Sequence, residues 1–579
     1  MPSSLLIRLL LVALAPAPVH ARLAPADIDR RVRTEWRRQH LVPAPPVDDA
    51  RFLRRLWLDL AGVIPPPEAV TAFLADRAPG KRARAVEQLL ESPRYADHFT
   101  QLWENLLLGR QAPGGVVDRL AFREWLHAQF ADNRPWDKLV YALVSATGVN
   151  SDGGLRNANP RQAVRAAVLS ASSPEPAASA PDANKNGAVN WLLKYTQNPP
   201  DLAGAVARTF LGVNIQCAQC HDHPMEKWKQ DDFRRFTAAF VRTAPMPIDE
   251  GQAMGIRRVA LRDLPAPVAL GPKKSELGEI VAAHPTALDG TDLLAAPGGP
   301  RRALAAWITA SENPWFARAT VNRMWAHLTG RGFVEPIDDF RRSNPAVMPE
   351  LLDRLAVDFI ASGYDLKQLI RTICATEAYQ RSSARTRDLE RATRHFARHP
   401  LRPLAPNALL DSIAQATGLE AALHKQAPAN LERVKAQLLS QLTFLFDVDE
   451  EPRTSSFEGT IPQALLFMNG ILVNAGASAL PSSTLERVLA LPGGDLEKVA
   501  ALCVCTLSRP PSAAESARWV VYVQAPHEVV KRPPAPAATA DPLDRAAARL
   551  RLPEPTAKQQ AYEDLFWALL NSSEFFFNH

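Results

Sequence analysis

Apolar residues recur at helical spacing along most of the chain. Ile28, Val32 and Trp36 repeat every four residues behind Asp27, a predicted cap. Phe52, Leu53, Leu56, Trp57 and Leu60 make a second stripe, which Gly62 stops ahead of Pro65-Pro66-Pro67. Pro67 suits the first turn of a third helix through Phe73 and Leu74. Further stripes fall at about 81–91, 95–108, 118–131 and 135–147. The pattern resumes at Trp191, includes a helix over Leu202 to Val213, and runs to about Val241. In the second half Leu351, Leu352, Leu355 and Phe359 form a stripe closed by Gly363. Leu366, Leu369, Ile370 and Ile373 form the next, and a last helix is expected from about Lys558 to Phe575. Trp307, Trp315, Phe316 and Trp325 lie on such faces and read as core anchors.

Three stretches lack the period. Residues 170–187 are small, polar and proline-bearing, and read as a flexible insertion. Residues 243–298 hold seven prolines, with apolar pairs such as Ile280-Val281 that leave room for a small hairpin. Residues 530–556 are an alanine/proline linker. The expected fold is therefore all-α: helical domains over 22–242 and 299–579, joined by a proline-rich, partly irregular segment.

Composition narrows the classes. Of 579 residues, 46% are apolar and five are cysteine, so a hydrophobic core rather than a disulfide framework must hold the fold. The net charge of +6 is spread along the chain with no basic stripe interleaved with aromatics, which argues against nucleic acid. Residues 1–21 carry Arg8, an apolar run from Leu9 to Ala15, and Val19-His20-Ala21, a small-x-Ala cleavage pattern. That is the form of a secretory signal peptide, with the mature chain starting near Arg22. No later stretch approaches the ~20 apolar residues of a membrane span. The expected location is periplasmic or extracellular.

One constellation dictates chemistry by its spacing. Cys217-Ala218-Gln219-Cys220-His221 matches c-type haem attachment, in which two thiols add across the porphyrin vinyl groups and the adjacent histidine binds the iron. At this composition the pattern arises by chance about once in a thousand such chains. Phe233, Phe236 and Phe240 share a helix face and suit either a haem wall or an ordinary core. Met246, in Ala244-Pro245-Met246-Pro247, is a candidate distal ligand, and His223 a hydrogen-bonding neighbour of the proximal one. The same residues also allow a Cys217–Cys220 disulfide, or a zinc site with His221 or His223.

These motifs have a family context. Phe52 to Gly62 with Pro65, Leu90-Glu91-Ser92-Pro93-Arg94-Tyr95, Phe122-Arg123-Glu124-Trp125, and Cys217 to Pro224 with Trp228 resemble the planctomycete-type secreted cytochrome-like domain, PSCyt. The second half resembles its usual companion, the PSD domain. The residues are Asn313-Pro314, Arg318, Val321-Asn322-Arg323-Met324-Trp325, Gly330-Arg331-Gly332, Asp338-Asp339-Phe340, Pro462-Gln463-Ala464-Leu465 with Asn469, and Leu569 to Phe575. The resemblance implies a cytochrome link but no established reaction. Asp222 and Met225 stand where relatives are expected to favour asparagine and a bulky aromatic or aliphatic residue.

Other polar clusters are weaker. Asp338-Asp339 and Asp447-Val448-Asp449-Glu450-Glu451 with Arg453 are exposed acidic loops or, less readily, a glycan-hydrolase carboxylate pair. Cys374, Cys503 and Cys505 read as small core residues. Asn322, Arg323 and Trp325 are candidates for a surface joining the two halves. No recognisable catalytic motif is present. The leading expectation is one covalent haem c, at Cys217, Cys220 and His221, that transfers electrons to a periplasmic redox partner or senses redox state. The alternative is a haem-free scaffold or binding protein of a secreted polysaccharide-processing complex, with a local disulfide.

Overall fold

The computed structural model describes residues 22–109, 115–153, 184–248, 256–268, 278–419, 421, 471–529 and 554–579. The expected signal peptide, most of the 170–187 insertion, the acidic run at 447–451 and most of the 530–556 linker lie outside these residues.

Seven helices open the chain: α1 (Pro25–Arg38), α2 (Asp49–Ala61), α3 (Pro67–Ala75), α4 (Lys81–Glu91), α5 (Pro93–Leu108), α6 (Arg119–Ala131) and α7 (Trp136–Val144). They start and stop where local chemistry directs. Asp48 caps α2 by accepting from the Arg51 N–H at 2.9 Å, and Gly62 ends it at φ 68°, a left-handed turn that favours glycine. Pro67 opens α3 as expected. In α1 the helix begins at Pro25, so Asp27 sits in its first turn instead of capping it.

The segment at 243–298 does contain a hairpin, but earlier than Ile280-Val281. Strands β2 (Thr243–Pro247) and β3 (Val259–Asp263) pair antiparallel, with Met246 opposite Ala260, and β1 (Gly148–Val149) adds to the other edge of β3. Ile280 and Val281 lie on a short helix, Gly278–Ala282. Residues 184–187, expected within the insertion, are ordered against β1, where the Val149 N–H donates to the Asn184 carbonyl at 2.9 Å. Thr556, expected in the linker, caps the helix Ala557–Leu570, and the last helix expected to reach Phe575 breaks there, with a separate short helix at Ser573–Phe576.

The halves do not pack as separate globules. One apolar core runs from Leu23 to Ala397 and includes the helices Pro300–Thr309, Phe316–Thr329, Pro349–Ala361 and Leu366–Cys374. A second gathers Leu404 to Phe575 and also takes Leu58, Val63 and Ile64 from α2 and its exit turn. Helix α2 is therefore apolar on both sides, with Phe52, Leu56 and Leu60 in the first core and Leu58 in the second. Arg301 further joins the halves: it grips Asp263 at 2.8 Å and donates to the Val144 carbonyl at 2.7 Å. Phe316 and Trp325 are buried core anchors as expected, while Trp307 and Trp315 pack half-buried against the core.

Candidate functional site

The 3₁₀ turn Gln216–Gln219 carries Cys217, and Cys220 follows directly as its C-cap, with His221 next. Three residues per turn place positions 217 and 220 on one side and position 218 on another. Ala218 is accordingly buried, beside Ile215, while both thiols are exposed. The turn is seated tightly on the preceding helix, Pro199–Val206, because Gly204 has no side chain: a Cβ there would lie 1.7 Å from Gln216 Oε1. Gln216 in turn donates to Gln219 Oε1 at 2.8 Å. From the following helix, Gln230–Thr237, the Gln230 side chain donates to the Gln219 carbonyl at 3.1 Å and its backbone N–H to Asp222 Oδ1 at 2.9 Å.

The second half packs on the segment that leads into the motif. Gly212 (φ 66°) accepts through its carbonyl from the Phe340 N–H at 2.8 Å, and a Cβ at 212 would meet the Phe340 ring at 2.6 Å. His221 is exposed, and its Nδ1 lies 2.8 Å from the Asp222 carbonyl oxygen. His223 does different work. Its Nδ1 accepts the backbone N–H groups of Met225 (3.2 Å) and Glu226 (3.1 Å), and its own N–H donates to the Trp228 carbonyl at 2.8 Å. A ring nitrogen occupied in this way is no metal ligand, so His223 is a loop organiser. Asparagine places an acceptor oxygen near the Nδ1 position. His223→Asn is therefore expected to keep the Met225 and Glu226 amides protected in hydrogen exchange, whereas His223→Leu removes about 1–2 kcal/mol of local protection.

The remaining candidates separate. Phe233, Phe236 and Phe240 are buried in the shared core, which decides between their two readings in favour of packing. Met246 is exposed on β2. Among the described residues no three His, Cys, Asp or Glu side chains converge as a metal site, which leaves the zinc reading without a ligand set. Asp338 is paired with Arg323, and Asp339 with Arg341 at 3.0 Å, so neither carboxylate stands free for acid/base work. Arg323 also lies over the Trp103 ring of α5 and so touches the first half. Asn322 binds both polar groups of Val334, and Trp325 packs on Phe333 and Phe396 within the shared core. Cys374, Cys503 and Cys505 are buried, as expected.

Sequence reasoning missed a buried polar hub on α2. Asp59 Oδ1 accepts from Arg402 (2.7 Å) and Asn578 (2.9 Å), Oδ2 accepts from the Tyr379 hydroxyl (3.0 Å), and the Asp59 carbonyl lies 2.9 Å from His327 Nε2. Arg54 and Arg55 are fully buried and turn opposite ways. Arg54 donates to the carbonyls of Thr506 (2.9 Å) and Phe575 (2.8 Å), and Arg55 to those of Tyr379 and Arg381. Burial pulls both guanidinium pKa values down to about 10, which leaves them charged at neutral pH. The signal available was two arginines and an aspartate inside an otherwise apolar helix.

Comparison with known proteins fits this architecture. Residues 27–244 match the family model PSCyt2, protein of unknown function (DUF1549), and residues 300–523 match PSD1, protein of unknown function (DUF1553). No curated protein and no solved structure matches the chain. With the cysteine turn inside the first match and Phe340, which packs on Gly212, inside the second, the chain carries a PSCyt2 domain followed by a PSD1 domain.

Proposed function

We propose that this chain is an exported protein carrying one covalent c-type haem, which transfers electrons or senses redox state. The observation that carries the reading is the geometry of His221. With Nδ1 against the Asp222 carbonyl, the neutral ring donates from Nδ1–H and leaves the Nε2 lone pair for iron. The donor set also fits: two exposed thiols on one side of a 3₁₀ turn, followed directly by an exposed imidazole. Bound there, the haem supplies reversible one-electron chemistry.

The chain's own groups have defined parts. Cys217 and Cys220 would form the attachment bonds, the Asp222 carbonyl fixes the tautomer of His221, and Gln216, Gln219 and Gln230 hold the turn. Met246, exposed on β2, would supply a thioether ligand in this reading. An exposed motif suits electron exchange with a redox partner docking on this face. Export is supported by the apolar run at 9–15 with its cleavage pattern.

Mass spectrometry of chain made in a host with cytochrome c maturation checks the attachment. The wild type should gain one haem, and Cys217→Ala with Cys220→Ala should abolish it while costing no more than about 1 kcal/mol of stability, since both side chains are exposed. A haem-free wild type with the two cysteines joined would support the scaffold reading instead.

A further inference from the structure

Away from the cysteine turn, a cleft of about 480 Å³ opens between the C-terminal end of α1, the segment Pro345–Pro349 and the short helix Leu389–Arg394. That volume is within the range of small-molecule sites. One wall is apolar, formed by Ala346, Val347 and Met348. Met348 is held at φ 56°, a left-handed conformation uncommon outside glycine, directly before Pro349. Backbone of this kind concentrates at binding sites.

At the cleft's edge, Glu35 is buried and already committed. It binds Arg38 at 2.8 Å and Gln39 at 3.0 Å, and lies 3.0 Å from His395 Nδ1. The uncommitted charge is on the short helix. Arg391 and Arg394 are three positions apart and so share a face. Arg391 reaches Gln39 Oε1 at 2.9 Å, and Arg394 has no ion-pair partner among the described residues. The acids Asp388 and Glu390 stand at the N-terminal end, where Asp388 caps the helix by accepting from the Arg391 N–H at 2.9 Å, and Arg394 lies at the C-terminal end. The cleft thus holds two arginines one helical turn apart, Arg394 the farther from the two acids, together with an apolar wall.

We propose that this cleft binds a small molecule joining a carboxylate to a short apolar body, with the carboxylate on Arg394 and Arg391 and the body against Ala346, Val347 and Met348. A planar monoanion matches a guanidinium fork, and the nearby Asp388 and Glu390 make a dianion such as phosphate the poorer ligand.

Calorimetric titration of the full mature chain tests this, with hexanoate, hexylamine and inorganic phosphate as probes. Hexanoate should bind saturably and at least about tenfold more tightly than either of the others. Arg394→Gln should weaken hexanoate by about tenfold or more while leaving the urea midpoint unchanged, because Arg394 has no ion pair among the described residues to lose. The proposal is overturned by hexanoate that does not saturate, by hexylamine or phosphate binding as tightly, or by an Arg394→Gln variant with wild-type affinity.

Discussion

Asp59→Ala should lower the stability of the folded chain by about 3–5 kcal/mol, the range for removing one partner from a buried ionic network. The effect is large because the lost carboxylate serves three donors from distant parts of the chain: Arg402, Tyr379 and Asn578. Its removal also leaves the Arg402 guanidinium, and the buried Arg55 beside it, without the local negative charge. No water reaches these groups easily, since Asp59, Arg55 and Tyr379 are each buried. Urea unfolding followed by circular dichroism measures the change as a shift in midpoint at constant slope. A loss below about 1 kcal/mol, the level of an exposed ion pair, would show that the hub does not hold the two cores together.

Acid should open the same junction. His98 of α5 and His327 of the second half face each other with ring centroids 6.0 Å apart, and burial pushes both imidazoles below their ordinary range, His98 to about 3. His579 is likewise held at about 4, chiefly by burial and then by Arg54. These groups are neutral when folded and titrate near about 6.5 once unfolded. Stability is therefore whole above about pH 6.5 and falls as the pH drops toward the folded values, because only the unfolded chain takes up protons across that window. At pH 4.5, His98 and His579 should each account for about 2–3 kcal/mol of lost stability. His98→Leu should flatten the dependence of unfolding free energy on pH between about 4 and 6 by close to one proton, about 1.4 kcal/mol per pH unit. An unchanged slope would mean that His98 is hydrated in the folded chain.

Much of the helical layout was legible from local signals. The stripes of α2 and α4, the stop at Gly62 and the Pro67 start all lie where periodicity and capping chemistry put them. The segment 243–298 holds the expected small hairpin, built from the proline-bearing run at 243–247 and its partner at 259–263, while the apolar pair Ile280-Val281 lies on a helix. The hub was not legible, for a physical reason. Arg54, Arg55 and Asp59 are satisfied by groups between 268 and 521 residues away, and helical periodicity carries no record of partners at that distance. Within the candidate site, spacing alone marked Cys217, Cys220 and His221. Exposure of the thiols, the Asp222 contact of His221 and the separate task of His223 required the fold, because they depend on how Gly204 and Gln230 seat the turn.

One absorption spectrum decides whether the chain carries covalent haem. Full-length chain made in a host with cytochrome c maturation, then denatured in alkaline pyridine, should give the reduced haemochrome spectrum of thioether-linked haem at one haem per chain, with the colour retained through acid-acetone extraction. A folded, colourless product, or haem that the extraction removes, would contradict it.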